Sequence, residues 1–294
     1  MKSMSSANQT LCVIILALLL CHCTSSPVGD SATASQNREV RGAVSLSNQN
    51  DPQTVFIWFD GLEMSKRPDQ FGRFQFTLPP PAAQTPAGGL DGAFKVYFYI
   101  ANFNFASKVA IIRNGFFVYG AGDIDESGEF SPSIFLNEQL VIRTRIEPHQ
   151  ITLESDTLSF SAEVFLQSFK DTVDVLYPRE VDEVSAPLLF KNLATEDVEI
   201  VPTTITSIDT TDFKRISTKL FSRKMDVKLA ANEFEAGLYE IVPYLLVVNN
   251  DVPAQVIERI GDNVEALGPN YLELPFIRRE GELEILADSD DSKP

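Results

Sequence analysis

Short apolar and alternating runs recur from Val40 almost to the C-terminus, and a period of two leaves a chain little choice but β-sheet. The clearest run is Leu158, Phe160, Ala162, Val164 and Leu166, interleaved with Ser159, Ser161, Glu163, Phe165 and Gln167. One face of that strand looks inward and the other mostly to water. β-Branched or aromatic runs bounded by Gly, Pro, Asn or Asp also cover 42–46, 54–59, 71–78, 94–101 and 108–113. Further runs cover 140–146, 173–177, 198–201, 238–248 and 283–286. Arg113-Asn114-Gly115-Phe116 sets Asn-Gly between two apolar runs, the strongest short hairpin signal. Only 253–260 reads as a helix, capped by Asp251 and closed by Gly261. The expected fold class is therefore all-β: two antiparallel β-sandwich domains, Ig-like in build.

The N-terminus gives the address. Leu11 to Leu20 is an apolar run behind Lys2 and a polar stretch. A helix of that length spans roughly 15 Å, about half a bilayer core, which suits the h-region of an export signal better than an anchor. Leu18-Leu19-Leu20-Cys21-His22-Cys23 resembles the lipobox of bacterial lipoproteins. In that family a cysteine after the h-region is diacylated, and two chains suffice for stable attachment. The family prefers a small residue before the cysteine, whereas Leu20 precedes Cys21 and His22 precedes Cys23. Cys23 fits better, because Leu20 and Cys21 then fill the apolar and small positions. The alternative is plain secretion after cleavage near Cys23 or Ser25. Residues 24–38 are small and polar and read as a flexible tether, and 288–294 as a solvated acidic tail.

Residues 40–130 hold 16 of the 29 aromatics, so a domain boundary is expected at 130–137 and is drawn between residues 130 and 131. The second domain, 131–287, reads as one larger sandwich or two small units meeting near Pro202. Within the first, Asp69-Gln-Phe-Gly72-Arg-Phe74-Gln-Phe76-Thr-Leu78-Pro79, preceded by Gly42-Ala-Val44 and followed by Lys95-Val-Tyr-Phe-Tyr99, resembles the signature of carboxypeptidase-regulatory-like domains. Locally, the Asp side chain can bond turn amides, Gly takes a positive φ and the Phe anchors the next strand. The resemblance covers residues 40–113 and implies a small transthyretin-like sandwich of the kind found in bacterial surface proteins, with a structural or binding role and no peptidase activity. Here 79–92 is a longer insertion than the family's link, which makes it functional or mobile.

Charge and composition remove other classes. Asp and Glu outnumber Lys and Arg 41 to 24, a net charge of −17, which argues against nucleic acid. No cysteine follows Cys23, so neither a disulfide framework nor a thiolate metal site is available. His149, in Glu147-Pro148-His149, is the only histidine beyond the leader and reads as an exposed turn residue with no catalytic partner. Carboxylate pairs, as used in glycoside hydrolysis, are too plentiful here to be specific. Asp123, Asp125 and Ser127 followed by Gly128 match the start of a calcium loop, but Ile134 stands where a bidentate acid is needed. The same residues repeat the Asp69-x-x-Gly72-x-Phe74 turn, so a turn is the favoured reading and calcium the weaker. Trp58, Tyr97, Tyr99 and Tyr119 could form a sugar platform, but Val55 to Phe59 is apolar throughout, as in a strand buried on both faces.

These readings converge on a non-catalytic cell-envelope lipoprotein that needs no cofactor and acts as a binding or scaffolding module. The alternative is a secreted carbohydrate-binding protein or an accessory subunit of a surface hydrolase system. Its membrane contact would be the N-terminal lipid, and its partner an envelope protein or glycan. Expressed in a lipoprotein-competent bacterium, the protein should carry an acyl mass at Cys23, or at Cys21, by mass spectrometry. A soluble, unmodified N-terminus would leave only simple export.

Overall fold

The computed structural model describes residues 37–153, 157–176, 179–180, 183–184, 187–205 and 213–287, and the fold is all-β with one short helix. Cys21 and Cys23, with the rest of residues 1–36, and the acidic residues 288–294 lie outside the described residues. The first unit is built from β1 Glu39–Leu46, β2 Phe56–Phe59, β3 Met64–Lys66, β4 Arg73–Thr77, β5 Gly92–Tyr99, β6 Ala106–Arg113, β7 Phe116–Gly122 and β8 Ile134–Leu136. Two sheets face each other, ordered β4-β1-β8 and β3-β2-β5-β6-β7. Along β1 the alternation puts Val40, Val44 and Leu46 inside and Arg41, Ala43 and Ser45 outside. Gly42 falls on the inner side, where a Cβ would come within 2.4 Å of the Phe74 ring. That missing side chain is what lets Phe74 lie across the middle of the sheet.

Asn114 (φ 50) and Gly115 (φ 81) take the two left-handed positions of the β6–β7 hairpin. The insertion at 79–92 folds back onto this turn. Gln84 Nε2 donates to Pro79 O (2.7 Å) and Gly115 O (2.8 Å), and Gln84 Oε1 accepts from Leu90 N (2.9 Å). The expected tether does not reach its drawn end at 38. Asn37 O accepts from Phe117 N (2.8 Å) and Arg38 O from Leu78 N (2.7 Å). β8 runs parallel to β1 in the register Val44↔Ile134 to Leu46↔Leu136, and Phe130, Ile134 and Leu136 belong to the first core. The change of partner thus falls between Leu136 and Leu140, at the far end of the 130–137 window. Composition shifts earlier because Phe130 ends the dense aromatic stretch and Phe135 is the one aromatic left in this unit.

The second unit comprises β9 Leu140–Glu147, β10 Gln150–Thr152, β11 Thr157–Ser168, β12 Val173–Leu176, β13 Arg179–Glu180, β14 Glu183–Val184, β15 Leu188–Asn192 and β16 Val198–Val201. It continues with β17 Thr204–Ile205, β18 Phe213–Ile216, β19 Phe221–Ala230, β20 Gly237–Pro243, β21 Leu246–Val247, α1 Ala254–Ile260, β22 Arg279–Glu280 and β23 Glu282–Leu286. Its main sheets are β17-β19-β11-β9-β22 and β10-β23-β20-β15-β16. Both sheets mix strands from either side of Pro202, so this is one sandwich and not two. A smaller sheet, β18-β12-β21, flanks it, and β13 pairs with β14. Helix α1 forms as expected, but Asp251 does not cap it. The N-cap is Pro253 without a side-chain bond, while Asp251 N donates to Asn249 Oδ1 (3.1 Å). Gly261 is extended (φ 169), so it ends the helix without a left-handed turn.

The sheet that carries β2 and β5 is buried on both faces. Val55, Ile57, Phe59, Val96 and Phe98 enter the first core, whereas Phe56, Trp58, Tyr97 and Tyr99 enter the second. Trp58 stacks on Tyr97 (5.5 Å) and Tyr97 on Phe105 (5.6 Å). Burial pushes the Tyr99 phenol well above its ordinary range. Two polar fasteners close the junction. Asn102, fully buried, donates to Leu140 O (2.9 Å) and Ile277 O (3.0 Å) and accepts from Ile277 N (3.0 Å). Glu138 receives Arg279 bidentately at 2.7 and 2.8 Å, and its Oε2 also accepts from Asn48 Nδ2 (2.9 Å). Removing one partner of such a buried pair costs about 3–5 kcal/mol, because the other charge is stranded.

The Asp69 turn takes the form its sequence suggests. Asp69 Oδ1 accepts from Phe71 N (2.9 Å) and Arg73 N (2.8 Å), Gly72 has φ +77, and Gly72 O accepts from Val44 N (2.9 Å). A Cβ on Gly72 would lie 2.0 Å from Val44 O. Gly72→Val should therefore cost at least about 2 kcal/mol, a fall of roughly 5 °C or more in Tm. Gly268→Ala, whose Cβ meets nothing within 4 Å, should leave Tm unchanged. Equal melting of the two variants would mean the turn does not constrain the sheet.

Candidate functional site

The outer face of β4-β1-β8 stands out for its charge. Arg41 and Ala43 of β1 lie opposite Gln75 and Arg73 of β4, and Ser45 lies opposite Phe135 of β8. Lys66 at the end of β3 and the following Arg67 close the β4 side. Together Arg41, Lys66, Arg67 and Arg73 line a cleft of about 760 Å³, with Asp69 and Glu129 as its acids. Four of the eight Lys and Arg between Asn37 and Leu136 thus share one face. Among the described residues, none of the four forms an ion pair with a carboxylate. Lys66 donates to Gln75 O, and Arg67 Nη1 to Thr54 O (2.9 Å). The Arg73 guanidinium lies 5.0 Å from the Phe71 ring centre, and the Arg41 side chain makes no hydrogen bond among the described residues. Asp69 is committed to its turn amides. Ala43 and Ser45 keep the outer face of β1 low, and two aromatic rings stand near the cleft without lining it, Phe71 beside Arg73 and Phe135 opposite Ser45. Phe71 and Phe135 are 64% and 53% exposed, which is unusual for rings of that size.

A second cleft of about 350 Å³ adjoins it where the two sandwiches meet. It is lined by Asp51, Arg67, Lys191, Glu240, Phe276 and Arg278, so Arg67 borders both clefts. The Arg278 guanidinium lies over the rings of Phe276 (4.3 Å) and Tyr271 (5.0 Å). Its Nε and Nη2 are shielded from solvent and have no acceptor. A guanidinium normally finds several acceptors when it is desolvated, so these two donors are an anomaly.

A third charged surface behaves differently. On the outside of β9 and β11, Arg145 pairs with Glu163 (2.7 Å) and lies 5.1 Å from the Phe165 ring centre, and Arg143 approaches Glu280 (3.3 Å). The hydrogen bond from Arg145 holds the Glu163 carboxyl below its ordinary range. Those arginines are neutralised within the sheet. Arg41, Lys66, Arg67 and Arg73 are not.

The residues singled out in the sequence fall elsewhere. Asp125 Oδ1 accepts from Ser127 Oγ (2.7 Å), Ser127 N (2.9 Å) and Glu129 N (3.0 Å). Gly128 has φ +83, and its carbonyl accepts from Arg41 N (3.0 Å). This repeats the Asp69 turn bond for bond, and both turns dock on β1. Their Phe74 and Phe130 rings meet at 6.0 Å. Asp123 turns away, its Oδ2 accepting from Val109 N (2.6 Å) and its Oδ1 3.8 Å from Lys108 Nζ. Asp123, Asp125 and Ser127 are therefore not converged on a common point. Trp58, Tyr97 and Tyr99 are core residues of the junction, and Tyr119 OH donates to Glu39 O. His149 is an exposed turn residue whose carbonyl accepts from Glu284 N (2.9 Å). Sequence reasoning missed the cationic face because its members are scattered over three segments. The available signal was Lys66-Arg67, with Arg41 and Arg73 at outward positions of strands already recognised.

No protein-family model and no curated protein matches the chain. No helix among the described residues is long and apolar enough to cross a membrane.

The Ser127 hydroxyl and the backbone amides hold the Asp125 carboxyl below the ordinary value of 3.8. A depressed pKa means the turn's contribution is in full force above that value and is lost as pH falls through the folded-state pKa. Since Asp125 spends its oxygen on these donors, calorimetry should detect no calcium binding tighter than about millimolar. Saturable micromolar binding abolished by Asp125→Ala would show that the turn opens to take the ion.

Proposed function

We propose that the chain is a non-catalytic binding module of a bacterial cell envelope, a lipoprotein held by Cys23 or Cys21, whose ligand surface is the cationic outer face of the first sandwich. The export-type leader, the lipobox-like cysteines and the resemblance to carboxypeptidase-regulatory-like domains support the setting. The chemistry left to the exported chain supports a binding role, since a single exposed histidine and no cysteine beyond Cys23 give little to build a nucleophilic site from. The observation that carries the reading is the unneutralised cluster of Arg41, Lys66, Arg67 and Arg73 in a chain of net charge −17. Like charges held together repel, and such a cluster is relieved when an anion takes the place of the missing carboxylates. Arginine suits this role because its planar fork matches carboxylate, sulfate and phosphate oxygens.

The reading predicts that small anions bind at this face. In an NMR titration with phosphate, sulfate and galacturonate, the largest shifts should fall on Arg41, Arg73 and their β1 and β4 neighbours. The Arg41→Ala/Arg73→Ala variant should weaken binding about tenfold or more, with Tm unchanged because both side chains are solvent-exposed. Shifts confined to other surfaces, or none at all, would remove this face as the ligand site.

A further inference from the structure

We infer that the ligand is an elongated acidic polysaccharide of the uronate type, lying along β1 and β4, crossing Arg67 and ending with a carboxylate on Arg278 in the cleft between the sandwiches. The inference rests on the anion-binding face just proposed and extends it by three observations. First, Arg67 borders both clefts, so they are neighbours, and a ligand long enough to cross that side chain meets cations on either side of it. Second, Arg278 offers Nε and Nη2 with no acceptor and is held in place by Phe276 and Tyr271. Desolvating donors without a partner is costly, so little opposes a small turn of the guanidinium that brings them out to an incoming carboxylate, which then takes two charge-assisted bonds. Lys191, in the same cleft, adds a second positive charge.

Third, the pattern of charge suits a glycan better than other polyanions. The path is not uniformly positive, because Glu129 lies beside the first cleft and Glu240 and Asp51 beside the second. Asp51 is partly engaged, accepting from Gln53 N (2.9 Å). Duplex DNA carries a charge about every 1.7 Å and would press phosphates against these acids. A uronate polymer carries one carboxylate per sugar, and the hydroxyls between can donate to Glu129 or Glu240. The exposed Phe71 and Phe135 rings then offer flat apolar surfaces to the C–H faces of sugars on the low Ala43–Ser45 floor.

The test compares galacturonic acid dimer with long polygalacturonate by calorimetry on the whole exported protein. The polymer should bind about tenfold or more tightly per site than the dimer. Lys191→Gln and Arg278→Gln should each remove most of that gain, whereas Arg41→Ala should weaken both ligands. Arg278 packs on two core rings, so thermal melting accompanies its variant, and Lys191→Gln together with Arg67→Gln decides the matter if Arg278→Gln fails to fold. Equal per-site affinity of dimer and polymer would overturn the inference, as would wild-type polymer binding by the Lys191 and Arg67 variants. Equal or tighter binding of single-stranded DNA or of phosphatidylglycerol vesicles would also overturn it. If phosphate still shifts Arg41 and Arg73 while neither uronate binds, the glycan inference fails and the anion-binding face stands. If no anion reaches that face, both fail.

Discussion

The architecture depends on one sheet serving two cores. β2 and β5 present Ile57, Phe59, Val96 and Phe98 to one side and Phe56, Trp58, Tyr97 and Tyr99 to the other. Separating the sandwiches would return the second set to water, at about 1.5–3 kcal/mol for each large side chain fully exposed. It would also strip Asn102 of its bonds to Leu140 and Ile277 and leave Glu138 without Arg279. Domains in one chain usually meet through modest polar contacts and move against each other. Here the contact is a shared hydrophobic layer closed by buried polar groups, so the two sandwiches behave as one rigid body.

That rigidity bears on the cationic path. Arg67 belongs to the first sandwich, Lys191 and Arg278 to the second, and a fixed junction keeps their spacing constant. A pre-arranged row of cations loses less entropy on binding than one that must be assembled. The two Asp-Gly turns contribute as well. Each sends its glycine carbonyl to β1, at Val44 and at Arg41, and thereby holds the strand that carries the floor. The side chains of Arg41 and Arg73 remain outside because the alternation of β1 and β4 leaves them no alternative.

Much of the fold could be read in advance, for local reasons. Period two, Asn114-Gly115 and Asp69-x-x-Gly72 each act over a few residues, and each formed what its chemistry dictates. The double burial of Val55 to Phe59 was visible because no polar residue interrupts it. What failed was less local. Asp251 was assigned as a cap from its position alone, but the backbone turned it towards Asn249. The pairing of β8 with β1 joins residues 90 apart in sequence, as in Val44↔Ile134, and no window reveals that. The cationic face was hidden for the same reason, because its residues come together only when β1, β3 and β4 fold. The calcium-like Asp123, Asp125 and Ser127 show the converse, a pattern whose residues are adjacent in sequence yet point to different partners.

The placement of β23 has a consequence for how the chain reaches this state. Glu282–Leu286 does not edge its sheet but lies within it, parallel to β10 on one side and antiparallel to β20 on the other, and β22 just before it completes the sheet of β9. During synthesis every earlier strand is already available while these two gaps stay open. The second sandwich therefore cannot close until β22 and β23 have emerged, and until then the edges of β10, β20 and β9 stand unpaired. A product cut short before Arg279 loses both closing strands and keeps those edges open to aggregation.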